Sequence, residues 1–145
     1  MYKFSILVMP DNQTLQRILA TLFSHQRKYD KAMAMYLRLG HKDVFQLIRK
    51  HDLFHAIVEE DKIINLMELD VKDALKLFLE HPDKLAPEII VKNLLRSSRN
   101  LYFYLDALSQ KDWEASKNFH GNLVGLYAGK IISISIFKIL FIKIY

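Results

Sequence analysis

Between Asn12 and Tyr127 the apolar residues recur in steps of three and four, in short blocks broken by Asp, Gly or Pro, and this spacing predicts an all-α chain. Leu15, Ile18, Leu19, Leu22 and Phe23 form one such stripe, predicting a helix from Asn12 to Gln26 capped by Asp11 or Asn12. After the short polar break His25-Gln26-Arg27-Lys28, Asp30 is placed to cap a second helix carrying Ala32, Met33, Tyr36 and Leu37. Gly40 marks its end, because glycine takes the left-handed conformation without a Cβ clash. So short a connection favours antiparallel neighbours.

The same reading continues along the chain. Asp43 is expected to cap a helix with Val44, Phe45, Leu47 and Ile48, and Asp52 another starting at Leu53-Phe54. A segment from Asp61 to Glu68 follows, then one after Asp70 with Ala74, Leu75, Phe78 and Leu79 that Pro82 closes. Pro87 and Glu88 read as a first turn, and helices over residues 87–97, 100–109 and 112–127 complete the series. Four Gly and three Pro leave little turn chemistry for an all-β alternative, and 51% hydrophobic residues exclude a disordered chain of low hydrophobicity.

Ala32, Met33, Met35, Tyr36 and Leu37 align with Ala74, Leu75, Leu77, Phe78 and Leu79 at a constant offset of 42 residues, with no clear third copy. A period near 40 is typical of stacked helical repeats, whose helix pairs lean on a neighbour to bury their apolar faces. The pattern predicts an α-solenoid of antiparallel helical hairpins over residues 11–128, with an irregular helical bundle as the alternative.

Both ends differ from this middle. Residues 129–145 read GKIISISIFKILFIKIY, with seven Ile in the last 15 and no amphipathic spacing. The run is too short for a membrane helix of ~20 apolar residues, and it reads as a β-branched, aggregation-prone stretch. Residues 1–10 lack the basic start and small-residue cleavage pattern of a signal peptide. We read residues 1–10 and 129–145 as unmatched ends around an internal repeat, the tail as aberrant, and expect no direct membrane span.

The candidate chemistry is thin. His51 and His55 have the i, i+4 spacing of a helical metal pair, but a capping Asp52 would put His51 outside the helix and spoil the shared face. Glu59, Glu60 and Asp61 read as a solvated face rather than as catalytic carboxylates. Lys92, Arg96 and Arg99 precede Tyr102, Phe103 and Tyr104 in the manner of a single-strand binder; helical spacing instead gives Phe103, Ala107 and Leu108 to packing and the two tyrosines polar tips at the edge. Trp113 reads as a packing anchor at a helix start. There is no Gly-rich phosphate loop, no Gly-x-Ser-x-Gly elbow and no Cys. Catalytic, cofactor-binding and metal residues are therefore none, no cofactor is expected, and the chain is not expected to be an enzyme. The net charge of +5 falls to +2 without Lys130, Lys138 and Lys143, too weak and dispersed for a nucleic-acid footprint, so no nucleic-acid partner is expected.

The string YDKAMAMYLRLGHKDVFQLIRKHDLF, within Arg27 to Asp70, resembles the clathrin-heavy-chain-type repeat of the vacuolar protein sorting-associated protein 41 family, subunits of the HOPS membrane-tethering complex. The likeness runs from Thr14 to Ala128. It implies a helical protein-interaction scaffold in vesicle-mediated transport to the vacuole or lysosome and in late endosome–lysosome fusion, with a cytoplasmic location peripheral on those membranes. Its implied partners are sibling HOPS subunits or a second copy of the repeat. The family's N-terminal β-propeller and C-terminal zinc-binding RING domain have no counterpart in these residues, so the roles of those parts are not carried over. A helical-repeat interaction module outside trafficking is the alternative.

Overall fold

A computed structural model of the chain describes residues 11–59 and 61–144, so the expectations for residues 1–10 and for Glu60 lie outside the described residues. The described residues are helical throughout apart from short connections, with no strand among them. They fall into two compact units, one up to Asp70 and one from Val71 onward.

The first unit holds α1 (Asn12–His25), α2 (Tyr29–Leu39), α3 (Asp43–His51), α4 (Phe54–Ile57) and α5 (Lys62–Leu69). Asp11 caps α1, its Oδ1 accepting the Thr14 N–H at 2.8 Å. That bond favours the ionised carboxyl and holds the Asp11 pKa below its ordinary value. α1 and α2 pack together across a connection of three residues, closed by the Lys28 N–H donating to the Phe23 carbonyl. Gly40 ends α2 with φ 64°. Ala32, Met33, Val44, Phe45, Ile48, Ile57, Ile63, Leu66 and Met67 are buried, and each large side chain among them contributes about 1.5–3 kcal/mol on transfer from water. Lys42 ties the start of α3 to the end of α5 through Asp70 Oδ2 at 2.6 Å.

Several expected caps are corrected. Lys28 and not Asp30 precedes α2, and Asp30 lies in its first turn; Asp43 is likewise the first residue of α3 and not its cap. Asp52 closes α3 with φ 53° instead of opening α4, and Asp61, at φ 59°, makes no side-chain cap to α5. In the left-handed conformation these aspartates turn the chain, a role Asn and Asp fill more readily than other non-Gly residues.

The second unit holds α6 (Val71–Glu80), α7 (Pro87–Leu94), α8 (Ser98–Lys111), α9 (Trp113–Ser116), a 3-10 turn (Lys117–Phe119) and α10 (His120–Ile144). α8 is its centre, touching α6, α7, α9 and α10. Its buried face is Leu101, Tyr104, Leu105 and Leu108, in i, i+3, i+4, i+7 spacing. Of the expected packing residues Leu108 is buried while Phe103 and Ala107 are half-buried, and Tyr104, expected at the edge, is in the core. Tyr104 is buried edge-on to Phe78, with ring centroids 6.5 Å apart at 69°. Asp112 caps α9, its Oδ1 accepting the Ala115 N–H at 3.0 Å.

The largest correction concerns the tail. Residues 129–144 do not form a separate β-prone stretch; they continue the helix that starts at His120. Together α9, the 3-10 turn and α10 make a helical run, Trp113–Lys143, long and apolar enough to cross a membrane by length and composition alone. The expected shortness came from counting only residues after Ala128, whereas the helix begins upstream of that point.

The 42-residue period is a property of the helices themselves. α2, α6 and α9 begin at Tyr29, Val71 and Trp113, and α5 and α8 end at Leu69 and Lys111. The fourth residues of the three starting helices, Ala32, Ala74 and Ser116, are all small and all buried. A third start is thus present although its apolar wording is too short to show in the sequence.

Candidate interaction surfaces

The expected site residues are not brought together. His51 ends α3 and stacks on Tyr29, with centroids 3.6 Å apart and planes 13° from parallel. His55 lies on the next helix and is exposed, so the pair shares no helix face. Among the described residues no three His, Asp or Glu side chains group to hold a metal. Glu59 is exposed.

The basic and aromatic residues around α8 instead serve one another. Arg99 lies over the Phe103 ring at 5.6 Å, and Lys130 of α10 lies over Tyr102 at 4.6 Å. Tyr102 meets Tyr127 edge-on at 5.3 Å, and the Tyr127 hydroxyl donates to Asp106 Oδ1 at 2.7 Å. The bond to Asp106, chiefly, raises the Tyr127 pKa from 10.0 to about 12, because an ionised phenol could not donate it. Burial pushes the Tyr104 phenol up as well, with the Glu88 charge adding to it. Beside these contacts α8 and α10 leave a cleft of about 600 Å³ lined by Arg99, Tyr102, Phe103, Leu126 and Lys130. Trp113 is 57% exposed and rests against His120 at 4.6 Å, so it is not the buried anchor expected of it.

What the chain does present is apolar helix surface. On α1 the stripe is split: Leu19 and Phe23 are half-buried, while Leu15, Ile18 and Leu22 are each about half exposed. Beyond Lys130 every side chain of α10 whose burial is described is exposed, Ile131 at 64% and Ile142 at 75% among them. The sequence located the α1 stripe, but it could not say which half has a neighbour.

Short helices in a recurring register, with apolar faces left open, define an all-α helical-repeat protein. The family model for the Vps41 TPR-like region matches residues 6–130, and the chain belongs to that family. Relatives named vacuolar protein sorting-associated protein 41 homolog are 39% identical over 119 residues in Danio rerio, 38% over 117 in Homo sapiens and 34% over 129 in Arabidopsis thaliana. These alignments cover 82%, 81% and 79% of this chain but only 14%, 14% and 13% of the relatives. No solved structure matches.

Proposed function

We propose that this chain is a contact scaffold of vacuolar protein sorting, a helical-repeat portion of a HOPS-type tethering subunit serving late endosome–lysosome or vacuole fusion. The observation that carries the reading is the family match across residues 6–130, which covers the repeat in both units. The relatives' printed name supplies the sorting role; the apolar helix faces left exposed on α1 support the contact role. The resemblance of the string at residues 29–54 implies a repeat of the clathrin-heavy-chain type, and the 42-residue offset supports stacked helix pairs. It works in the cytoplasm, peripheral on these membranes, with sibling tethering subunits or a second copy of the repeat as partners. Residues 11–128 are the body of the repeat, and the family match runs slightly past both bounds, over residues 6–130.

The outer face of α1 is the natural docking stripe, since Leu15, Ile18 and Leu22 are exposed while the same helix packs on α2 through its other side. Affinity purification of the tagged chain should recover tethering subunits, and the triple change Leu15→Ser, Ile18→Ser, Leu22→Ser should lose them while leaving the helical circular-dichroism signal in place. Recovery of none of them, or recovery only of proteins outside trafficking, would overturn the proposal in favour of a module of another pathway.

A further inference from the structure

α10 has a second character that the repeat does not account for. The family match ends at residue 130, and the helix runs on to Ile144. Ser98, at the start of α8, lines the same cleft as Ser133 of α10, so the helix passes the end of its support near that residue. Beyond it Ile134, Ile136, Ile139, Leu140 and Ile142 are each about half exposed or more, and at 100° per residue they point to every side of the helix. A groove or a partner helix needs one apolar stripe; a helix apolar all round belongs in a core or in lipid.

The charge pattern chooses between them. Glu114 is the last acidic residue of the chain, and every charged side chain after it is a lysine, at 117, 130, 138 and 143. A second copy pairing along this helix would set lysine against lysine with no carboxylate to answer it. Anionic headgroups would answer both free ends, and lysine stems can lie along an apolar surface while the ammonium reaches the headgroup level. The segment Ile131–Ile142 is about 18 Å long, too short for the ~30 Å hydrocarbon thickness, so it lies along one leaflet rather than crossing the bilayer, where both lysine stems can reach the headgroups.

We propose that the end of α10, residues 131–144, is a lipid anchor that inserts into one leaflet of an anionic bilayer, with Lys138 and Lys143 at the headgroups. The anchor is independent of which protein partners the repeat takes. Flotation of the full chain with phosphatidylcholine vesicles containing phosphatidylserine tests it. Binding should survive a high-salt wash, should fall about tenfold or more in Ile134→Glu/Ile139→Glu, and should lose its preference for phosphatidylserine in Lys138→Glu/Lys143→Glu. A Phe141→Trp probe in a Trp113→Phe background should be quenched by brominated acyl chains. Absence of flotation, binding stripped entirely by salt without quenching, or self-association in sedimentation without vesicle binding would each overturn the proposal. Both glutamate variants change only exposed positions, and circular dichroism of each full-length variant controls for folding.

Discussion

Asp70 and Asp112 stand 42 residues apart and close their helices alike: each takes an extended backbone and donates its N–H to the leucine four residues earlier. Leu66 accepts at 3.1 Å and Leu108 at 2.7 Å, and both leucines are buried. The shared geometry sets the next helix going from the same point in the second and third repeats, which is why Ala74 and Ser116 reach equivalent buried positions; Ala32 reaches its own after Lys28, whose N–H donates to Phe23 five residues earlier.

Those three positions should reject bulk. Ala74→Leu forces extra methylenes into a filled site and should destabilise by about 1–3 kcal/mol in chemical denaturation. Ser116→Leu should behave likewise. Ser116→Ala keeps the volume and gives up the hydroxyl's bond to the Trp113 carbonyl at 2.7 Å and its longer one with His120 Nε2 at 3.3 Å, so it should cost about 1 kcal/mol.

Gly40 is held at φ 64°, and a Cβ there would meet only Leu69 Cδ1 at 3.9 Å. Space is therefore not the constraint; the backbone is. Gly40→Ala should lower stability by about 1 kcal/mol, and Gly40→Asn by less, because asparagine tolerates the left-handed region. Parallel urea titrations of the two variants check the order.

Phe78 and Tyr104 meet edge-on in the core of the second unit. Phe78→Ala should cost about 3–5 kcal/mol through lost burial and the cavity left behind. Phe78→Leu should cost distinctly less. An unchanged midpoint for the alanine variant would show that this pair is not a core contact.

The Tyr127–Asp106 bond carries a pH signature. The folded pKa of about 12 lies above the ordinary 10.0, so the neutral phenol contributes its full stabilisation below pH 10 and loses it as pH rises through about 12. Wild type and Tyr127→Phe should therefore differ at neutral pH and converge above that window, read by denaturation at each pH. A difference that stays constant across the alkaline range would rule out the bond as its source.

Aspartate was the least legible residue type in the sequence. Asp11, one of two caps expected for α1, and Asp112, expected only as the first residue of a helix, both cap, since each follows a connection and precedes a helix whose third N–H its carboxyl can reach. Asp52 and Asp61 carry the same local wording but take positive φ. Whether an aspartate caps or turns depends on where the preceding helix must stop, which packing decides. The end of α10 was missed for a different reason: amphipathic spacing was the signal for a helix, and a helix apolar on every side has no such period.

The sequence by itself determined the all-α class, the family, the start of α1, the stop at Gly40 and the 42-residue offset, because caps, glycine and helical spacing act over a few residues. The tertiary structure decided which half of each stripe is covered, as on α1, where Leu19 and Phe23 are half-buried and Leu15, Ile18 and Leu22 are left to solvent. It also decided that Trp113 is exposed while Tyr104 is buried. Burial depends on what comes to lie against a face, and periodicity along one helix carries no record of its neighbours.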